Sequence, residues 1–438
     1  MRLDALCLPL ASDFQGWEYM RVASRLLRLM PPRVLVCDPS SITFSGDGIP
    51  NFTSQSTKSA LESASQTLLV QRTPVVLPTE TVYGLGAPAL IPSAVSLIFS
   101  TKGRPADNPL IVHVSSITML HSILTPGYTW PKTYELLIKA FWPGPLTLLF
   151  PSNPDVIPPI VTAGQPLVAV RMPSHPVARA LIAVSNAPLA APSANSSGKP
   201  SPTKVEHVLR DTVGNKVDVI LDGGPCHVGV ESTVIDGLHP DGKLRILRPG
   251  GITVEDIEHV VGKDSVMVHR RDYEDKQQEV APTTPGMKYR HYSPSVPVVL
   301  LLQSPPPPDV TQQSLHTVLQ SAIEALPPSP SSRNEPSRRS SIKIGLLAPP
   351  DSTLTPLLTS PSAKRGMPPI VWHMYPLGAQ ADPKTSARRL FDGLLSLEAQ
   401  GVELIIMEGI DESREGMAVM NRAKKAAGDG IRWVKKEI

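Results

Sequence analysis

Residues 77–113 read LPTETVYGLGAPALIPSAVSLIFSTKGRPADNPLIVH. An apolar strand, PVVLP (74–78), runs into this stretch. A hydroxyl-rich and Gly-rich turn follows, then a short helix over 93–101. A basic loop holding Lys102-Gly103-Arg104 leads into a second strand over 109–114. Strand, helix and strand in close succession read as α/β architecture. Thr79, Glu80 and Thr81 crowd the carboxyl end of the first strand, where open α/β sheets place their ligands. Lys102 offers a mobile point charge and Arg104 a bidentate fork, which together suit phosphate. Gly103 would let the backbone approach an anion closely.

A second loop, APSANSSGKPSPT (191–203), complements the first. Ser193, Asn195, Ser196, Ser197 and Ser201 gather hydroxyl and amide groups after the apolar strand PLAAP. Thr203-Lys204-Val205-Glu206 fits a capping box, so a helix should begin just after it, and helix N-termini favour anions.

The turn Gly84-Leu85-Gly86-Ala87-Pro88-Ala89 formally fits a dinucleotide fingerprint, with Asp107 at a suitable distance for a ribose carboxylate. Pro88 inside the motif and Asp107 in a loop argue against it. A tight turn needing positive φ accounts for the glycines. No Walker A sequence, G-x-S-x-G elbow or HExxH is present. Phosphate binding by a P-loop, a serine nucleophile and a zinc-bound water are therefore unsupported.

At 438 residues the chain suits two or three domains. Its 49 prolines exceed the usual share of about 5% and point to linker or disordered segments. A net charge of +3 does not argue for nucleic acid. Cys7, Cys37 and Cys226 lie far apart, so neither a disulfide framework nor a zinc site is indicated, and a reducing compartment is expected. No apolar run reaches about eighteen residues, so no membrane helix is expected. Within residues 1–30, Arg2, Arg21, Arg25 and Arg28 suggest a mitochondrial presequence, while Asp4, Asp13 and Glu18 oppose it. A disordered extension, or a start at Met30, are the alternatives.

Four segments are expected. Residues 1–54 form an N-terminal extension, partly disordered. Residues 55–265 form one α/β domain with a mixed sheet, its strands expected at 74–78, 109–114, 145–150, 166–171, 187–191, 217–222, 232–236 and 244–248. Residues 266–295 form a linker whose Tyr289, Arg290, His291 and Tyr292 suit folding back over a ligand. Residues 296–438 form a smaller Rossmann-like α/β domain. It is read from VPVVLLL, IKIGLLA, IVWHMYPL and ELIIMEGI, with a Pro/Ser-rich disordered insertion near 304–340.

Arg171 ends the apolar strand PLVAVR, where a cation needs a partner such as Glu80 or Glu231, or a bound anion. Arg248 ends KLRILR in the same way. His113 among apolar neighbours reads first as a core histidine.

PTETVYGLG, KGRPADNPLIVHV, FWPGPLT, VAVRMPSHP, APSANSSGKPSPT, ESTVID, ILRPGG and PGMKYRHYSP occur in this order. Together they resemble the threonylcarbamoyl-AMP synthases of the long, two-domain form. The resemblance implies a YrdC-like twisted mixed open sheet with helices, followed by the smaller Rossmann-like domain. It implies synthesis of L-threonylcarbamoyl-AMP from L-threonine, bicarbonate or CO2, and ATP, with release of pyrophosphate. A tRNA-threonylcarbamoyl transferase complex would then carry the group to the adenosine beside the anticodon in tRNAs reading codons that begin with A.

The resemblance assigns Lys102, Arg104, Ser193 and Asn195 to the catalytic signature. It assigns ATP to Arg104, Asn108, Leu167, Ser193, Ser201, Arg248, Tyr289 and His291. It assigns threonine to Thr81, His113, Arg171, the Ala191 backbone and Ser232. Leu167 stands where the family often has Thr and would act through its backbone; Asn108 stands where it often has Lys. Mg2+ on the phosphates is implied, with no residue an obvious ligand. A cytoplasmic location is expected, with a mitochondrial pool if residues 1–30 target the chain. The competing expectation is an RNA-binding module with a basic concave surface. The carbamoyl-adenylate chemistry of hydrogenase maturation is opposed by the lack of zinc-finger and acylphosphatase-like segments.

Overall fold

The computed structural model of the chain describes residues 31–46, 48–269, 272, 291–327 and 341–435. The expectations placed on residues 1–30, on Tyr289 and Arg290, and on disorder over 328–340 lie outside the described residues.

The first unit contains β1 (Arg33–Val36), β2 (Ile42–Phe44), β3 (Pro50–Phe52), β4 (Val75–Leu77), β5 (Gly84–Pro88), β6 (Ile111–His113) and β7 (Leu146–Pro151). It continues with β8 (Leu167–Arg171), β9 (Leu189–Ala190), β10 (Val219–Asp222), β11 (Thr233–Asp236), β12 (Leu244–Arg248) and β13 (Val266–Val268). Eleven of these build one mixed sheet in the order β1-β10-β4-β5-β9-β6-β8-β7-β11-β12-β13, and β2 and β3 form a separate hairpin. The helices Pro92–Lys102, Lys132–Phe141 and Val254–Val261 cover a main core that includes Val76, Ile98, Val112, Leu148, Phe150, Val170 and Ile246. The helices Gln55–Gln66 and Pro176–Val184 cover a second core around Leu61, Val75, Leu181 and Leu221. Each fully buried Leu, Ile or Phe contributes about 1.5–3 kcal/mol.

Four expectations for this unit are corrected. Residues 266–268 are not linker, because β13 pairs in parallel with β12 from Leu244↔Val266 to Ile246↔Val268. Residues 33–54 are not an extension, because β1 pairs in parallel with β10 from Arg33↔Val219 to Val36↔Asp222. Gly84 and Gly86 are not in a turn: they lie in β5, antiparallel to β4. Gly86 is small because a Cβ there would stand 2.9 Å from Leu77 Cδ2. The capping box at Thr203 does not form. The helix Val205–Arg210 starts at Lys204 without a side-chain cap, since the Thr203 amide points at His207 Nδ1, 3.2 Å away.

The second unit is a parallel sheet of β14 (Val298–Leu302), β15 (Ile342–Ala348), β16 (Ile370–Pro376), β17 (Leu404–Glu408) and β18 (Ile431–Trp433), in the order β16-β15-β17-β14-β18. Relative to a Rossmann order its first and fourth strands are exchanged. Alternation sends Val299, Leu301, Ile344 and Leu346 to one face, under the helices Leu315–Glu324 and Leu354–Leu358. It sends Val298, Leu300, Ile405 and Met407 to the other, under the helices Pro383–Ala399 and Glu415–Ala427. The helix Leu315–Glu324 corrects the expected disordered insertion: Leu315, Val318, Leu319 and Ile323 bury an apolar stripe. β18 was not expected, because three half-buried residues carry too little pattern.

The second core reaches across to the first unit. It includes Val82 and Val230, and Tyr292 from the segment joining the two units. Lys204 Nζ lies 2.8 Å from Asp392, and Lys199 Nζ lies 3.9 Å from Glu398.

Candidate active site

The site lies on one open face of the large sheet. Period-two alternation puts Ile111 and His113 of β6 on the same side as Leu167, Ala169 and Arg171 of β8 and Thr147 and Leu149 of β7. Ile111, Leu149, Ala169, Val234 and Leu247 form a small apolar floor, with Leu167 packed at its edge. Arg171 and Leu167 are separated by about 13 Å of strand. The Leu167 side chain thus shares the face with Arg171, a position that the expected backbone-only role did not foresee.

Arg171 anchors one end. Its Nη2 lies 2.6 Å from Glu80 Oε1, Nη1 donates to Thr81 Oγ1 at 3.0 Å, and Nε donates to the Gly144 carbonyl at 3.2 Å. A guanidinium has five N–H groups, so two remain to grip a carboxylate. Burial alone would push the Glu80 carboxyl up, but Arg171 against it holds it below the usual carboxylate range. Thr79 Oγ1 lies 2.7 Å from Thr81 Oγ1 and locks the turn after β4. His113 Nδ1 sits 3.1 Å from the Ile111 carbonyl. Burial, and then the charge of Arg171, push its pKa down to about 3, so it presents a neutral imidazole.

Ser232 links this end to the next. Its Oγ lies 2.8 Å from Thr147 Oγ1, and Thr147 pairs across the ladder with Arg171. Arg248 Nη2 donates to Ser232 Oγ at 3.2 Å and to the Ser232 carbonyl at 2.9 Å. Arg104 completes the cationic wall. Its Nε and Nη2 donate to the carbonyls of Asn108 and Pro109, at 3.0 and 2.7 Å, so the KGRPADNP loop folds around it. Burial draws its pKa down to about 9, which leaves it cationic at neutral pH. Gly103 closes the helix Pro92–Lys102 as a left-handed C-cap at φ 62°.

The 191–203 loop is laced to β5 through Leu85 N–H to the Pro192 carbonyl and Ala194 N–H to the Tyr83 carbonyl, both at 2.8 Å. Lys102 Nζ donates to the carbonyls of Ser193 and Asn195. Burial, and then Arg104, lower its pKa to about 7. Ser201 Oγ donates to Glu231 Oε1 at 2.7 Å. The side-chain oxygens of Asn108 and Asn195 are buried with no hydrogen-bond partner among the described residues.

Thr81, Arg104, His113, Arg171, Ala191, Ser193, Ser232, Arg248 and His291 converge on one recess. Lys102, Asn108, Leu167, Asn195 and Ser201 do not line it. Lys102 and Ser201 stand behind it and hold parts that do. Thr79, Val82, Gly84, Ile111, Pro192, Glu231 and Tyr292 also line it. Glu80 was readable at the carboxyl end of the first strand and as a partner for Arg171, and Glu231 as an alternative partner for Arg171. Tyr292 stood out in sequence as an aromatic in a linker, with nothing to set its direction. Burial, and then the neighbouring Glu231 carboxylate, push its phenol up to about 12. Among the described residues no three His, Cys, Asp or Glu side chains gather as a metal site, and no helix is long and apolar enough to cross a membrane.

Two family models match the chain. One, described as Telomere recombination, matches residues 67–250. The other, described as Threonylcarbamoyl-AMP synthase, C-terminal domain, matches residues 252–428. Threonylcarbamoyl-AMP synthase of Schizosaccharomyces pombe is 42% identical over 394 residues, 85% of this chain and 89% of that protein. The Bacillus subtilis enzyme of the same name is 40% identical over 364 residues, 83% of this chain and 92% of its own. The crystal structure of Pyrococcus abyssi Sua5 complexed with L-threonine aligns with a TM-score of 0.69 at 35% identity, covering 92% of this chain and 100% of that one. Matches that span both units, on a fold that joins a mixed sheet to a parallel one, place this chain in the family of threonylcarbamoyl-AMP synthases.

Proposed function

We infer that the chain condenses L-threonine, bicarbonate or CO2, and ATP into L-threonylcarbamoyl-AMP and pyrophosphate. The observation that carries the assignment of roles is the Ser232 junction. One hydroxyl lies within hydrogen-bond reach of Thr147, beside Arg171, and of Arg248. A carboxylate site and a phosphate site therefore adjoin. In this reading Arg171 pairs with the threonine carboxylate, while Thr81, His113, Ser232 and the Ala191 backbone hold its remaining polar groups. Arg104, Arg248, Ser193 and His291 face ATP, with Asn108, Leu167, Asn195 and Ser201 around them; Tyr289 keeps the ATP role that the resemblance implies. Lys102 shapes the Ser193–Asn195 loop from behind and adds positive charge.

The neutral threonine amine attacks CO2, forms the N–C bond and gives up one proton to solvent, which leaves a carbamate anion. A carbamate oxygen attacks the α-phosphorus and forms the new P–O bond. The bond to the β-phosphate oxygen breaks, and pyrophosphate leaves with the electron pair. Such a step needs alignment and charge neutralisation more than a covalent nucleophile. Arg104, Arg171 and Arg248 line the recess against one lining carboxylate, Glu231, and give it the positive wall that a triphosphate requires. The described residues build no cation cage of their own, so we propose that Mg2+ would come bound to the ATP phosphates. Product transfer to a tRNA-threonylcarbamoyl transferase complex, and a cytoplasmic location with a mitochondrial pool set by residues 1–30, belong to the same proposal. An RNA-binding module is not favoured, because these cations are buried in a recess.

The test is to incubate the purified chain with ATP, bicarbonate and threonine, and follow pyrophosphate and the acyl-adenylate by mass spectrometry. Threonine-dependent release of both is expected. Pyrophosphate release indifferent to threonine would overturn the reading.

A further inference from the structure

Glu231 lines the recess beside the cations proposed to receive ATP, and its carboxylate is held from two units. Ser201 Oγ donates to Oε1 at 2.7 Å from the first unit. Arg422 Nε lies 3.0 Å from Oε2 and comes from the helix Glu415–Ala427 of the second unit, 191 residues away in sequence. Arg422 is fully buried. Its Nη1 donates to the Pro249 carbonyl, next to Arg248, and its guanidinium carbon lies 5.9 Å from the Tyr292 ring centroid. A buried arginine at such a junction acts on the charge balance of the recess as well as on packing. Without it, one carboxylate among the phosphate-binding groups would, among the described residues, draw on Arg248 and Lys102, the same positive charge proposed for ATP.

We propose that Arg422 is a positioning residue of the active site: the second unit supplies it to neutralise Glu231, so that Arg248 and Arg104 present their charge to the ATP phosphates. The proposal rests on the reaction inferred above. It gives the second unit a chemical task, because the recess of the first unit alone would carry one uncompensated carboxylate. Burial would raise the Glu231 carboxyl, yet Arg422 and then Arg248 hold it down to about 2, so it is a permanent anion that needs such a partner.

The test compares full-length wild type, Arg422→Gln, Glu231→Gln and the double variant Glu231→Gln/Arg422→Gln in threonine-dependent pyrophosphate release, with folding checked by circular dichroism. Arg422→Gln should raise KM for ATP at least about fivefold, and more than it raises KM for threonine. The double variant should recover most of that loss, because the carboxylate that repels phosphate is gone. A purely structural role in docking the two units would raise KM for ATP and for threonine together, and would show as lost folding in circular dichroism. A rise in KM for ATP below about fivefold, an equal rise for threonine, or a double variant no better than Arg422→Gln would overturn the proposal. If Arg422→Gln does not fold, Arg422→Met, which keeps an unbranched buried stem without the charge, is measured in its place with the same partner and thresholds. Wild type without threonine-dependent activity would instead sink the underlying reaction, which separates the two failures.

Discussion

Arg171 carries three protein contacts and still keeps two N–H groups for a ligand. Its partner Glu80 is buried with it, so removing one side leaves an unpaired charge. Arg171→Gln should cost about 3–5 kcal/mol of stability in urea unfolding and abolish threonine saturation. Glu80→Gln/Arg171→Gln should recover stability without recovering threonine binding. If the double variant binds threonine normally, the carboxylate assignment fails. Lys102 differs in kind: its ammonium serves two carbonyls, and its pKa of about 7 lies in the working range. As pH rises above about 7 the free enzyme loses this positive charge. The kcat/KM for ATP should therefore fall, and a flat profile between pH 6 and 9 would contradict this. Arg171, Arg104 and Arg248 were legible because a cation at a strand end or in a Gly-containing loop needs an anion. The carbonyl partners of Lys102 were not, because they depend on how a loop some ninety residues later passes over the helix.

Among the elements, the strands of the large sheet were readable wherever β-branched residues stood between Gly or Pro. β5 was not, since GLGAP has the composition of a turn and is a strand only because β4 and β9 lie on either side of it. The helix Leu315–Glu324 was hidden by the prolines before it and the Pro/Ser run after it. Gly229 is an element-scale feature of another sort. It sits at φ 80°, and a Cβ there would lie 2.4 Å from Arg388 Cα on the helix Pro383–Ala399. Gly229→Ala should therefore push the two units apart. Gly198, at φ 88° with nothing within 4 Å, is the control. Gly198→Ala should cost about 1–2 kcal/mol from backbone strain alone. Gly229→Ala should cost more and expose the joining segment to limited proteolysis. Equal costs would show that the close approach is easily relieved.

For the whole molecule, the joint between the units is both apolar and charged. Glu231 is ionised in the folded state well below its ordinary pKa of 4.5. A folded pKa below the unfolded one means that the unfolded chain binds more protons as pH falls. The stabilisation is full above about pH 4.5 and is lost as pH drops toward about 2. Urea midpoints should fall across this window, and Glu231→Gln should flatten the decline. A decline unchanged in that variant would assign the acid sensitivity to other carboxylates, Glu80 and Asp392 among them.

The sequence by itself determined two α/β units, the chain positions of most strands, the cations that end them, and the family, since each is written in local pattern or in short motifs. Only the tertiary structure decided which of those cations share a recess, that Lys102 and Ser201 act from behind it, and that a helix of the second unit sends Arg422 to Glu231. Strand periodicity fixes which face a side chain takes, but a contact between residues 231 and 422 exists only after two separately formed sheets have docked.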